Sequence, residues 1–207
     1  SENEELQVLR PITRNWEGVQ MAVGDWVALQ YSYDTKTYQI VSLLPRQTKF
    51  SRVAAGIEVK EQIVAANVDV VFLIQSLNKD FNMRRLERYM ITTWESGAMP
   101  VVVLTKSDCC DNVKERIGTV HATVPGVDVH AISCITGDGV SELRKYLLPG
   151  KTIALLGSSG VGKSTLLNYL AGRELLKTGE IREYDDKGRH TTTHRELFLL
   201  PQGGLLL

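Results

Sequence analysis

The sequence predicts an α/β fold: a parallel, doubly wound sheet preceded by a small antiparallel β-barrel. Three observations carry this reading. From about Ile57 onward, short continuous apolar runs alternate with segments of helical period, the pattern of strands buried on both faces between crossover helices. Before that point, only short β segments broken by turn residues occur. Finally, Gly157-Ser158-Ser159-Gly160-Val161-Gly162-Lys163-Ser164 reads G-x-x-x-x-G-K-S. It lies between the apolar run Ile153 to Leu156 and a helical pattern marked by Leu166, Leu167 and Leu170, giving strand, glycine loop and helix.

In the N-terminal part, Val19 to Val23 leads into the turn signal Gly24-Asp25, and Trp26 to Tyr33 alternates. Val27, Leu29, Tyr31 and Tyr33 are expected on one face, with Trp26, Ala28, Gln30 and Ser32 on the other. Asp34-Thr35-Lys36 is the next break, and Thr37 to Leu44 the next strand, ending at Pro45. An oligonucleotide-binding barrel has five strands in such a length, but only three or four are legible, so the barrel reads as incomplete. Trp16, Trp26, Tyr33 and Phe50 are candidates for stacking on bases, with Arg14, Arg46, Lys49 and Arg52 on phosphates. Because the segment is not basic overall, the favoured expectation is that the aromatics fill a small core. Ala54-Ala55-Gly56 and the charged run from Glu58 mark a boundary, giving residues 1–56 and 57–207 as the two domains.

After the boundary, Asp69 to Gln75 reads as a buried strand. Asn82 to Ser96 reads as a helix with Met83, Leu86, Met90 and Trp94 on one face, stopped by Gly97. Pro100 to Leu104 is a strand, about Asp111 to Val120 a helix, Val127 to Ile132 a strand, Val140 to Leu148 a helix and Thr152 to Leu156 a strand. Ligands of such sheets bind at the carboxyl ends of strands, which singles out the loops after Leu104, Ile132 and Leu156.

The loop after Leu156 is the glycine loop. Its backbone N–H groups and those opening the next helix would wrap a phosphate chain, so Gly157, Ser158, Ser159, Gly160, Val161, Gly162, Lys163, Ser164 and Thr165 are the phosphate-binding candidates. Lys163 would meet the β- and γ-phosphates, and the Ser164 hydroxyl would ligate Mg2+. After Leu104 come Thr105, Lys106, Ser107 and Asp108, and after Ile132 come Ser133 and Cys134. A carboxylate can accept from both N1–H and the 2-amino group of guanine, a pair that adenine lacks, so Asp108 is the candidate base reader. The Lys106 stem would lie along the ring face, and the Ser133-Cys134 backbone would meet the guanine O6.

Composition narrows the class. Of 207 residues, 43% are apolar, enough for a sizeable core, and Lys plus Arg balance Asp plus Glu at 24 each, so net charge favours neither nucleic acid nor an anionic membrane. No apolar run is long enough to span a bilayer, and the acidic start does not read as a signal peptide, so a cytosolic location is expected. Cys109, Cys110 and Cys134 lack C-x-x-C spacing and read as reduced structural thiols, and the four histidines show no metal-ligand pattern.

These loops, in this order, resemble the circularly permuted bacterial GTPases of the ribosome small subunit-dependent GTPase A family. Thr105 to Asp108 and Ser133-Cys134 precede the phosphate loop, whereas ordinary GTPases place it first. Ala65 to Asp69, Gly188 to Leu197 and Pro201 to Leu205 add to the likeness, which covers most of Ile57 to Leu207. The resemblance implies a GTPase of late small-subunit maturation, with GTP, GDP and Mg2+ as ligands. It implies contact with the subunit and its rRNA through an N-terminal oligonucleotide-binding fold. Two residues depart from the family pattern: Thr105 replaces Asn, removing an amide that would brace the loop and meet the base, and Cys134 replaces Ala. The chain is expected to be truncated, since family members continue into an Asp-x-x-Gly switch and a zinc-binding domain; Zn2+ is expected only there, with no zinc ligand in this chain.

Between Lys177 and Arg195 little apolar periodicity occurs, and a mobile switch loop is expected. Thr191, Thr192 or Thr193 could ligate Mg2+ when the γ-phosphate is present, Thr192 first among them. His190 and His194 are weak candidates for orienting the attacking water. With no Gln or Arg finger in evidence, slow intrinsic hydrolysis, completed by the small subunit, is expected of a monomeric protein. The alternatives are a P-loop ATPase or kinase with an accessory β-domain, and an RNA-binding scaffold that never turns its nucleotide over.

Overall fold

The computed structural model describes residues 8–9, 20–53, 61–78, 80–176 and 196–207. Its contacts divide the chain into two units, Ser1–Asn67 and Val68–Leu207. The boundary therefore falls at Asn67 rather than at Gly56, because the strand Glu61–Ala66 pairs antiparallel with Lys49–Val53 and belongs to the first unit.

The first unit contains β1 (Val8–Leu9), β2 (Val27–Ser32), β3 (Thr37–Leu43), β4 (Lys49–Val53) and β5 (Glu61–Ala66). β3 is central to one sheet, with β1 parallel on one side and β2 antiparallel on the other, while β4 and β5 form a ribbon. A bridge from Val23 to Ala65 links the ribbon to the segment before β2. Asn67 has φ 55°, accepts from Gln47 N at 2.8 Å and donates to the Gly24 carbonyl at 2.9 Å, so one side chain closes two backbone gaps.

Trp16 and Arg14 lie outside the described residues, and among those described Trp26 and Tyr33 do not fill a core. Trp26 is 59% exposed and Tyr33 85% exposed. Tyr31 packs edge-on to Tyr33 and tilted against its cross-strand partner Tyr38, each at a centroid distance of 5.1 Å. The rings cover one another at the surface instead. Arg46, a sequence candidate for a phosphate contact, serves the fold: its guanidinium grips both oxygens of Asp25 at 2.6 and 2.8 Å and donates to the Gln20 carbonyl. Burial pushes the Asp25 carboxyl up, but the Arg46 and Ala22 hydrogen bonds outweigh it and hold it below its usual value.

The second unit runs β6 (Val70–Ser76), α1 (Met83–Ser96), β7 (Met99–Thr105), α2 (Val113–Thr123), β8 (Asp128–Ala131), β9 (Thr152–Leu156), α3 (Lys163–Ala171), β10 (Phe198–Leu199) and β11 (Leu205–Leu206). The sheet order is β10-β11-β9-β6-β7-β8, parallel throughout except that β10 is antiparallel to β11. All seven residues of β6 are buried, as befits a central strand covered on both faces. Phe72, Ile74, Val101, Val103, Ile132, Ile153, Leu166 and Leu170 are part of one apolar core. No described helix is long and apolar enough to cross a membrane.

Two helical expectations change. On α1 the buried positions are Leu86, Met90, Thr93 and Ser96, while Trp94 is 54% exposed. The Thr93 hydroxyl donates to the Tyr89 carbonyl at 2.8 Å, so a polar residue can hold the inner face. Val140–Tyr146 is a 3₁₀ helix, not an α-helix. Its buried residues Val140, Leu143 and Tyr146 recur every third position, which matches three residues per turn. The preceding Gly139 has φ 70°, and a Cβ there would stand 2.3 Å from the Ala131 carbonyl oxygen. Near the end of the described chain, β10 forms a short antiparallel hairpin with β11.

Candidate functional site

The glycine loop joins β9 to α3 at the carboxyl edge of the sheet. β9 lies beside β6 closely enough that a Cβ on Gly157 would stand 2.6 Å from the Ile74 carbonyl oxygen, so only glycine starts the loop here. Gly160 and Gly162 take φ 75° and 98°, and Gly162 caps α3. Among the described residues, nothing accepts from the backbone N–H groups of Ser158 to Gly162. With the N-terminus of α3 they form a cradle of donors suited to an anion. Lys163 lies across the loop, its Nζ donating to the Gly157 and Ser158 carbonyls at 2.7 and 2.6 Å. Burial lowers the Lys163 pKa. Ser164 and Thr165 open α3, and the Ser164 hydroxyl has no partner among the described residues.

The Thr105–Asp108 loop follows β7, the neighbour of β6. Thr105 is 3% exposed, and its hydroxyl donates to the Val161 carbonyl at 2.6 Å. The bracing role that the sequence led us to regard as lost with Asn is thus carried by a hydroxyl. Lys106 has φ 59°, a left-handed conformation, and its Nζ donates to the Gly160 carbonyl at 2.9 Å. Both residues therefore tie this loop to the glycine loop. Ser107 begins a 3₁₀ turn, Ser107–Cys109, and its N–H donates to the Ile132 carbonyl at 3.1 Å.

That last bond brings in the third loop. The Ser133 hydroxyl accepts from the N–H groups of Ile135 and Thr136, each at 3.2 Å, and Ser133 N donates to the Asp138 carbonyl. Hydrogen bonds from Ser133, chiefly, and from the Cys109 thiol hold the exposed Asp108 carboxyl below its usual value. Asp108 is thereby kept ionised as an acceptor pair. Cys134 is half-buried, and burial pushes its thiol up to about 11, so it sits there protonated. The structure thus joins all three sequence-derived loops by direct contacts. His190, His194, Thr191, Thr192 and Thr193 lie outside the described residues. Among those described, no group of three or more His, Cys, Asp or Glu is placed to hold a metal ion.

One loop at the same edge escaped the sequence reading. Asp80, between β6 and α1, accepts from the Ser158 hydroxyl at 2.7 Å and pairs with Arg85 at 2.9 Å. Burial raises the Asp80 carboxyl, but hydrogen bonds from Ser158 and Arg85 outweigh it. The carboxyl-end rule applies to β6 as well as to β7, β8 and β9, so the position of this loop was a usable signal.

A parallel sheet, a glycine loop opening a helix, and two base-side loops that precede it in the chain define a P-loop α/β protein of permuted order. The chain belongs to the RsgA GTPase family, which it matches over residues 43–207. It is 48% identical over 186 residues to small ribosomal subunit biogenesis GTPase RsgA 2 of Lactiplantibacillus plantarum, covering 90% of this chain and 52% of that one. It is 46% identical over 190 residues to small ribosomal subunit biogenesis GTPase RsgA of Methanosarcina acetivorans, covering 92% and 52%. The chain thus spans about half the length of these curated relatives. Its fold resembles that of YjeQ from Thermotoga maritima, with TM-score 0.72, 23% identity and 98% and 65% of the two chains covered. It also resembles YloQ, a circularly permuted GTPase, with TM-score 0.62, 19% identity and coverages of 100% and 63%.

Proposed function

We propose that this chain binds GTP and GDP with Mg2+ and hydrolyses GTP during assembly of the small ribosomal subunit. One observation carries the reading: Thr105 and Lys106, from the loop that presents Asp108, contact the glycine loop directly, through Val161 and Gly160. A base reader and a phosphate cradle are thereby held at a fixed separation, the requirement for a nucleotide. Asp108 accepts from guanine N1–H and the 2-amino group, with the Lys106 stem along one ring face and the Ser133-Cys134 backbone at O6. Lys163 would neutralise the β- and γ-phosphates, and Ser164, whose hydroxyl has no protein partner among the described residues, would hold Mg2+, which would supply further charge neutralisation. Thr192 adds a switch ligand, and His190 or His194 orients water.

The subunit is the assembly partner that the relatives' names carry. The first unit serves as an incomplete oligonucleotide-binding barrel that approaches rRNA, with the exposed Trp26 and the Tyr31, Tyr33 and Tyr38 cluster as stacking surface. The protein acts as a cytoplasmic monomer, turns over slowly alone and is stimulated by the subunit.

The test is calorimetric titration of GDP and ADP, each with Mg2+, into the wild-type chain and Asp108→Asn. GDP preferred by more than about tenfold, about 1.4 kcal/mol, with that preference lost in the variant, is the expected result. Equal binding of both nucleotides returns the site to an ATPase or kinase.

A further inference from the structure

The loop from Ser76 to Asn82 spends its hydrogen bonds on its own shape. Gln75, wholly buried, clamps Asn82 through both amide atoms: Nε2 donates to the Asn82 carbonyl at 2.9 Å, and Oε1 accepts from Asn82 N at 2.8 Å. Asn82 in turn caps α1 by accepting from Arg85 N at 3.0 Å. Asn78 Oδ1 accepts from the Ser76 hydroxyl at 2.6 Å and from Asp80 N at 3.1 Å. Arg85 donates to the Asp80 carbonyl and pairs with its carboxylate. Each of these contacts fixes Asp80 or a residue close to it in the loop. The carboxylate they position leaves its own loop and receives the Ser158 hydroxyl.

Ser158 is consequently held at two points. Asp80 takes its side chain from one side, and Lys163 Nζ takes its carbonyl from the other. The second residue of the glycine loop is thus anchored through both its side chain and its peptide carbonyl. A carboxylate beside a polyphosphate site would repel the ligand, and the paired Arg85 supplies the compensating charge.

Resting on the proposed nucleotide site, we infer that Asp80 is a positioning residue for phosphate binding: acting through Ser158, it sets the glycine-loop backbone, and Arg85 keeps its charge from repelling the nucleotide. The simpler role for the pair, stabilising the start of α1, would change the melting temperature and leave ligand affinity alone. Positioning acts on the phosphate part of affinity and not on base choice. The two roles therefore separate in one experiment.

Mg-GDP and Mg-ADP are titrated into the wild-type chain, Asp80→Asn, Ser158→Ala, the double variant, Arg85→Ala, and Arg85→Ala combined with Asp80→Asn, with melting temperatures measured alongside. Ser158→Ala weakens GDP about tenfold, the worth of one charge-assisted hydrogen bond; Asp80→Asn, which keeps an acceptor and loses its charge, weakens it about threefold, and the double variant is no worse than Ser158→Ala. The GDP-to-ADP ratio stays at its wild-type value throughout. Arg85→Ala weakens GDP more at low salt than at high salt, and adding Asp80→Asn relieves that dependence. Asp80→Asn binding GDP like wild type, or additive losses of about thirtyfold in the double variant, overturns the role while leaving the proposed function standing. A wild-type chain that binds neither nucleotide overturns both.

Discussion

Replacing Thr105 by valine removes one hydroxyl and changes almost no volume. The hydroxyl lies at 3% exposure and donates to the Val161 carbonyl at 2.6 Å, with a longer 3.3 Å approach to the Gln75 carbonyl. Its loss leaves a carbonyl unpaired in a dry place, which costs about 2 kcal/mol. For a unit the size of Val68–Leu207, that corresponds to a fall of about 6 °C in melting temperature. Thr105→Ser keeps the hydroxyl and removes one buried methyl, costing about 1 kcal/mol, or about 3 °C. If Thr105 were only a packing residue at the end of β7, the order would reverse. Valine would fill the space and suit the strand, while serine would leave a hole. Differential scanning calorimetry of the three proteins, without nucleotide, gives the order directly. Serine melting below valine would refute the claim that the Thr105 hydroxyl braces the glycine loop.

Two further outcomes follow from the geometry. Gly157→Ala drives a Cβ to 2.6 Å from the Ile74 carbonyl oxygen on a central strand that cannot retreat, so it should cost about 2 kcal/mol and weaken Mg-GDP at least about tenfold, read by melting and titration. Asp25, held by Arg46 below its usual value of 3.8, stabilises the first unit above that pH and loses the contribution as pH falls through its lowered folded value. Asp25→Asn should therefore speed hydrogen exchange of the β2 and β3 amides at pH 7, and the gap from wild type should narrow below about pH 4. A gap unchanged at pH 3 would remove the carboxylate from the account.

Much of the second unit could be read from the chain because its strands are buried on both faces. Val70 to Ile74 and Val101 to Leu104 announce themselves as unbroken apolar runs, and Asn82 and Gly97 bracket α1 with a cap at each end. The glycine loop was legible because its spacing is local. Asp80 was not, since its partner Ser158 comes near only through the pairing of β6 with β9, which no local pattern records. The 3₁₀ geometry of Val140–Tyr146 was written in its period of three, but over so short a stretch that period is hard to tell from a helix's. Trp26 and Tyr33 read as core because aromatic alternation carries no sign of which face is covered.

The pairing of β6 with β9 also sets an order of events during synthesis. As the chain emerges, β6, β7 and β8 can form three adjacent strands while the other flank of β6, from Val70 to Leu73, has no partner. That partner, Ile153 to Leu156, is made some eighty residues later, together with the loop that follows it. The base-side loops thus exist well before the phosphate cradle. Until β9 arrives, a nascent chain displays a bare strand edge whose residues Val70 to Leu73 are all apolar, the kind of edge that recruits other chains. The stretch of chain between β6 and β9 therefore sets the interval in which a half-made copy shows that flank to other chains.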